Sequence, residues 1–356
     1  MKKKKILIVA LGGVMGGVEH YIEALSDLLR ERATLVSLCV LPELAQHLSN
    51  LGVKVFLIPA FPRLRALRFL LAFGLLPIIV LREQVQIVLV NGFLESALLI
   101  PARLLGRVAV YIRHGPFEDD LYKWHKNPAR YFPRLIARLC ARLASHVICV
   151  SEAAGKVVRD VVPAERTTVI PNWVSRIPPY RARSRDSSPA RHVLYSGRLE
   201  RYKGLYLLLE ALRGVSNVSL TVLGEGSYRK ELEQLSAGMD VRFEGFQSPE
   251  KYYAEADIFV MPSVGPEGLP MVSIEAMAHG LPCLFSDLEV HQEITAAGTA
   301  GMLFRSGDAE DLKRKLLTLI EEAPLRSAYS LAAYRRVGEA YNAEAARKPY
   351  LTAFGL

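Results

Sequence analysis

Short segments that are apolar from end to end recur along this chain, each followed by a stretch whose apolar residues return at helical spacing. In the first half they are residues 5–10, 34–40, 53–58, 87–90, 108–112, 146–150 and 168–170, with helical patterns such as 18–32 and 132–143 between them. A strand without a polar face must be covered on both sides, and the intervening helices supply the cover. The alternation therefore predicts a doubly wound α/β domain around a parallel sheet.

Residues 176–191 interrupt the pattern with three prolines, serines and arginines and no apolar period, as a linker does. The alternation then restarts, with strands expected at 192–196, 218–223, 241–243, 258–261, 282–286 and 302–304 and helices at 204–213, 228–235, 270–278 and 308–321. The 356 residues suffice for two domains of about 150 each. The expected organisation is one Rossmann-like domain over 1–175, the linker, a second over 192–335, and a helical segment over 336–356 that crosses back to the first. Doubly wound sheets bind ligands at the C-terminal ends of their strands, so two such domains facing one another would hold a ligand in the cleft between them.

Charge is divided unevenly: residues 1–175 hold 23 Lys+Arg and 13 Asp+Glu, whereas 176–356 hold 22 and 23. A basic excess confined to one half points to an anionic partner there, a membrane surface, a phosphorylated lipid or nucleic acid. Nucleic acid is not expected, because no recognisable module interleaves basic residues with aromatics. Lys2 to Lys5 followed by an apolar run mimic a signal peptide, but the run is short and opens into glycines, as a first strand does. The longest apolar run, 69–81, is broken by Pro77 and falls well short of the roughly 20 residues needed to span a bilayer. Four scattered cysteines without metal-ligand spacing read as reduced thiols of a cytoplasmic protein without a metal site.

Three stretches carry the chemistry. The first strand runs into Gly12-Gly13-Val14-Met15-Gly16-Gly17-Val18-Glu19 at the mouth of a helix. Such glycines either bring backbone N–H groups close to an anion or serve a tight turn. The spacing is not GxGxxG and no acidic residue ends the second strand, which argues against a dinucleotide cofactor. The second domain opens with Ser196-Gly197-Arg198-Leu199-Glu200-Arg201-Tyr202-Lys203-Gly204, where a guanidinium fork and a point charge form either a diphosphate clamp or a solvated loop. Further on, a strand ending at Met261 feeds a Gly/Pro loop with Glu267 and a helix starting near Pro270, which places Glu275 among Ile274, Ala276, Met277 and Ala278. Proline suits the first helical position. N–H donors of the loop and first turn suit phosphates, and the two carboxylates suit sugar hydroxyls.

Taken in order, GGVE at 16–19, SGRLERYKG at 196–204, LGEGSYRKELE at 223–233 and PEGLPMVSIEAMAHGLP at 266–282 resemble the retaining GT-B glycosyltransferases of family 4. The likeness covers nearly the whole chain and is strongest in its C-terminal half. It implies an acceptor held by the first domain and a sugar-nucleotide donor held by the second. Arg198 and Lys203 would neutralise the donor diphosphate, which is also the leaving group, and Glu275 would bind the ribose. Glu267 would contact the transferred sugar, helped by the N–H groups of Gly268 and Leu269, while Gly16 and Gly17 would close on the phosphate. His114, in Arg113-His114-Gly115 after the fifth strand, matches a histidine that lies over the donor sugar in this family.

Transfer would pass through an oxocarbenium-like state with charge building on the diphosphate. The resemblance implies same-face attack, with a donor phosphate oxygen taking the acceptor proton and no metal or other cofactor taking part. No Asp-x-Asp occurs in the chain. A nucleotide-sugar 2-epimerase of the same fold and a non-catalytic sugar-nucleotide-binding protein are the alternatives. Two departures stand out: Ile170-Pro171-Asn172-Trp173-Val174-Ser175 replaces the usual Ile-Pro-Asn-Gly-Val-Asp, and the segment 286–294 lacks the two glycines that usually precede its Glu.

The acceptor clue is basic and apolar. Arg134, Arg138 and Arg142 share one face of the helix expected at 132–143, and a second such stretch lies at 63–82. These either dock the first domain on anionic lipid, at the inner face of the membrane where a glycan or polyprenyl-linked acceptor of surface polysaccharide or lipopolysaccharide synthesis would be met, or form an ordinary helix with a solvated Arg face and a buried Leu face.

Overall fold

The computed structural model describes residues 3–13, 15–59, 65–92, 94–115, 131–180 and 189–356. Seven strands, β1 (Lys4–Ala10), β2 (Ala33–Cys39), β3 (Lys54–Leu57), β4 (Ile87–Asn91), β5 (Val108–Arg113), β6 (His146–Cys149) and β7 (Thr167–Val169), form one parallel sheet in the order β3-β2-β1-β4-β5-β6-β7. Six more, β8 (His192–Ser196), β9 (Ser219–Leu223), β10 (Val241–Gly245), β11 (Ile258–Met261), β12 (Cys283–Ser286) and β13 (Met302–Phe304), form a second in the order β10-β9-β8-β11-β12-β13. Both are Rossmann-like, and in each the winding reverses between the first and fourth strands. β1 pairs with β4 from Ile6↔Ile87 onward and β8 pairs with β11 from Val193↔Ile258. A crevice opens where the winding reverses, so the loops after these strands are the natural ligand contacts.

Burial explains the apolar runs. Ile6 to Val9, Ile258 to Met261 and Cys283 to Phe285 are each fully buried. A buried side chain of this size contributes about 1.5–3 kcal/mol. The first sheet is flanked by α1 (Gly17–Leu29), α2 (Pro42–Asn50), α3 (Arg65–Arg82), α4 (Leu99–Leu104), α5 (Tyr131–Leu143) and α6 (Glu152–Arg159). The second carries α7 (Leu205–Leu212), α8 (Arg229–Leu235), α9 (Glu250–Glu255), α10 (Met271–Ala278), α11 (Glu289–Ile294), α12 (Ala309–Glu321) and α13 (Ala323–Ala340). Side-chain caps start two of them, Ser151 Oγ accepting from Ala154 N and Asp308 Oδ1 from Asp311 N.

The described residues fall into two compact units, one ending at Asn172 and resuming with Ala343–Leu356, the other spanning Trp173–Asn342. The sequence boundary at 335/336 falls inside α13, which runs unbroken to Ala340 with Val337 buried. The return to the first unit begins at Ala343, with α14 (Ala343–Phe354), whose Tyr350 hydroxyl bonds that of Tyr21 on α1. Trp173, which stands where the family motif has glycine, is 2% exposed in the second unit, and Val174 beside it bridges to Asn342. Of the linker, Pro178 and Tyr180 lie against α13 through Tyr334 and Ser330, while 181–188 lie outside the described residues.

Candidate functional site

In the second unit the loops that follow β8 and β11 are laced together by backbone. Gly204 adopts φ +70°, and a Cβ there would overlap the carbonyl oxygen of Pro262. Only glycine allows this approach at that conformation. The Tyr202 carbonyl then accepts from both Val264 N (2.8 Å) and Gly265 N (3.0 Å). This lacing brings Lys203 Nζ to 2.7 and 2.8 Å from the two carboxylate oxygens of Glu267, and Ser263 Oγ donates to Oε1 at 2.6 Å. Burial alone would raise the Glu267 carboxyl, but the Lys203 ammonium and the Ser263 hydroxyl hold it below its ordinary value. Glu267 is thus an ionised, oriented acceptor at neutral pH.

Lys203, 8% exposed, is first a partner of Glu267, with one N–H donor left outside that pair. Behind the carboxylate lies a second layer that the sequence did not announce. Ser286 Oγ donates to the Ser263 carbonyl at 2.6 Å, and His291 Nδ1 donates to the Ser286 carbonyl at 2.9 Å. Burial pushes His291 down to about 4, so the ring is neutral. The segment that departs from the family pattern, 286–294, therefore supports Glu267 from within the protein.

Arg198 is exposed after β8, its carbonyl anchored by Tyr195 OH at 3.0 Å and its guanidinium on the Tyr202 hydroxyl. Tyr202 is 4% exposed and close to both cations, with Arg198 5.7 Å and Lys203 5.5 Å from its ring centre. Glu275 is half-buried on α10 and accepts from Tyr253 OH of α9 at 3.1 Å. Pro270 is the N-cap of α10 and not its first helical residue. Gly268 and Leu269 lead into that start, Leu269 buried and Gly268 partly exposed. Arg198, Lys203, Glu267 and Glu275 thus all belong to the loops and helices that follow β8 and β11.

In the first unit Gly16 is the N-cap of α1 and Gly17 its first residue. The Glu19 carboxylate folds back to the start of its own helix, filling the space that a side chain on Gly12 would need. Burial raises its pKa against the pull of backbone N–H groups at Glu19 and Gly16. His114, beyond β5, has Nε2 2.9 Å from Asn91 Oδ1, and Asn91 Nδ2 donates to the Val9 carbonyl. Because Asn91 accepts there, Nε2 carries the hydrogen and Nδ1 presents a lone pair. Its ring meets Tyr21 edge-on at 4.6 Å. Burial, helped by the Arg113 charge, lowers His114 to about 3. Asn91 and Tyr21 had no distinguishing signal in the sequence.

The outer helices of this unit are unusually apolar. On α3, Leu70, Ile78 and Leu81 are 57–64% exposed, and on α4 Leu104 is 83% exposed. On α5, Ala137, Cys140 and Ala141 face inward, whereas Leu139 and Leu143 lie outside with Arg138 and Arg142. This corrects the expectation of a buried Leu face for the ordinary-helix alternative; the side chain of Arg134 lies outside the described residues. Among the described residues no helix is long and apolar enough to cross a membrane.

Residues 15–176 match the family model described as Glycosyltransferase Family 4, and residues 190–322 the one described as Glycosyl transferases group 1. The sulfoquinovosyl transferase SQD2 of Arabidopsis thaliana is 36% identical over 160 residues, 43% of this chain and 31% of that protein. The lipopolysaccharide core biosynthesis glycosyltransferase LpsE of Rhizobium meliloti is 27% identical over 58% of this chain and 62% of its own length. The chain spans less than two thirds of each of these relatives. Among solved structures, Anabaena Alr3699/HepE in complex with UDP-glucose superposes with a TM-score of 0.81 at 21% identity, covering 99% of this chain and all of that one. The two Rossmann-like units therefore have the GT-B fold.

Proposed function

We propose that this chain, whose two halves are glycosyltransferase domains, moves a sugar with retention from a nucleoside-diphosphate sugar to a lipid-linked or glycan acceptor of glycolipid or surface-polysaccharide synthesis. The observation that carries this reading is the Glu267 carboxylate, ionised, buried and fixed by Lys203 and Ser263 in the loop after β11. A carboxylate held this way has accepted three hydrogen bonds and keeps one lone pair, on Oε2, for a hydroxyl of a pyranose ring. Arg198, exposed and planar, meets the diphosphate with a two-pronged contact, and the remaining N–H of Lys203 adds to it. These cations, with the start of α10, counter the charge that develops on the leaving group, so no metal is assigned a role. Glu275 takes the ribose hydroxyls.

From the first unit, neutral His114 contributes Nδ1 as an acceptor for a sugar hydroxyl. The α3 and α5 faces rest on an anionic membrane, leucines and isoleucine entering the interface and arginines meeting lipid phosphates. HepE was solved with UDP-glucose, which recommends UDP-sugars as the first donors to try. The test is a panel of sugar nucleotides scored by thermal shift, then NMR of the anomeric proton of the transferred sugar. Retention requires the donor configuration in the product; inversion overturns that part. Conversion of the donor to its 2-epimer without an acceptor would replace the transferase by an epimerase.

A further inference from the structure

We infer that the first unit holds a phosphate group of its acceptor on Arg68. The inference deepens the transferase function proposed above and rests on it. Arg68 stands in the first turn of α3 and is 7% exposed. Its Nη1 lies 2.9 Å, and its Nη2 3.6 Å, from the position a Cβ on Gly13 would take. Among the described residues the guanidinium makes no hydrogen bond and no ion pair. The side chain is largely buried but its nitrogens are not sealed from solvent, so the five N–H donors of the guanidinium remain open to a ligand. This one lies beside the glycine loop at the C-terminal end of β1, on the switch-point side of the sheet where ligands bind.

The chemistry of the corner selects a phosphate. A planar guanidinium matches two oxygens of one oxyanion, and Gly12-Gly13 leave no side chain in the way. The start of α1 is not itself the site, because Glu19 turns its carboxylate there, on the Gly12 side of the loop. The phosphate therefore sits on the Gly13 side.

The same helix shows which molecule bears it. Arg68 points inward from α3, while Leu70, two residues on, is 64% exposed and Ile78 is 60% exposed. A phosphorylated amphiphile would place its chain along the apolar outer face and its head group inward at Arg68. The acceptor class is thus a lipid-linked phosphate, monoester or diester.

Three probes test this on the full chain by isothermal titration: geranyl phosphate, geraniol and inorganic phosphate. The wild type should bind geranyl phosphate about tenfold or more tightly than geraniol. Arg68→Gln should abolish that ratio and Arg68→Lys should restore part of it. Hydrogen exchange at 12–18 in the wild type should slow with geranyl phosphate, a readout that survives a poorly folded variant. Equal affinity for geranyl phosphate and geraniol, or unchanged exchange at 12–18, overturns the site. Binding of inorganic phosphate as tight as that of geranyl phosphate keeps the phosphate site but overturns the lipid source. An equal loss of UDP affinity in Arg68→Gln assigns the residue to the donor and overturns the acceptor role. UDP-sugar binding, titrated separately, tests the transferase function itself; its absence would leave the phosphate result standing.

Discussion

Lys203 and Glu267 stand 64 positions apart and meet through both carboxylate oxygens, with neither residue more than 9% exposed. Removing one partner leaves the other charge buried alone, so Glu267→Ala should cost about 3–5 kcal/mol. The double variant Lys203→Met with Glu267→Leu replaces the pair by apolar groups and should cost less than either single change. Urea denaturation of the three variants checks the order; a double variant less stable than both singles would contradict a pair whose desolvation cost rivals its attraction.

Gly204 is what lets the two loops meet. Gly204→Val adds a Cβ onto the Pro262 carbonyl at a φ of +70°. The loops must separate, at a cost of about 1–3 kcal/mol for the backbone alone. We expect a lower melting temperature together with weaker nucleotide binding, read by differential scanning fluorimetry with and without nucleotide. Full nucleotide affinity in the variant would show that the lacing does not shape the site.

Much of this was legible in the sequence, for physical reasons. Runs such as Ile6 to Ala10 and Ile258 to Met261 have no polar face, and only a strand covered on both sides accommodates them. Arg198, Glu267 and Glu275 were visible because charged residues stood in Gly/Pro loops or among apolar neighbours. What stayed hidden is pairing across distance. Nothing local tells that Lys203 spends its charge on Glu267, that His291 supports Ser263 through Ser286, or that His114 leans on Asn91 and Tyr21. Burial of an arginine is hidden too: Arg63, Arg65 and Arg68 look alike in the sequence. The helix boundary at 335/336 was misplaced because α13 and α14 are separated by only Tyr341 and Asn342, with no Gly or Pro to mark the break.

Acid should destabilise the fold before its carboxylates protonate. Burial lowers His114 to about 3 and His291 to about 4, from 6.5 when solvated. As pH falls through 6.5 the unfolded chain gains both protons while the folded chain does not, so stability declines from there towards pH 4. Glu267 continues the trend: the stability from its lowered carboxyl is present above 4.5 and is lost as pH falls through its folded value. Urea midpoints at pH 7 and pH 5 measure the slope, and His291→Gln should reduce it by about one proton. An unchanged slope would show that His291 titrates normally.

The outer face of the first unit should be soft to charge. Leu70→Glu with Ile78→Glu alters two exposed positions, so stability should move within about 0.5 kcal/mol per site. Co-sedimentation with vesicles containing phosphatidylglycerol should fall sharply, and wild-type binding should weaken at high salt. Salt-insensitive binding would remove the arginines' part in it, and no binding would remove the membrane from the account.

The most direct measurement pairs nucleotide affinity with turnover in Glu267→Ala, using the sugar nucleotide that most raises the wild-type melting temperature. UDP or its counterpart should bind the variant within a few-fold of wild type once folding is confirmed, while transfer drops by about 10²-fold or more, because the lost contact is made to the transferred sugar. Transfer at the wild-type rate, or a wild-type chain that binds no sugar nucleotide at all, would contradict it.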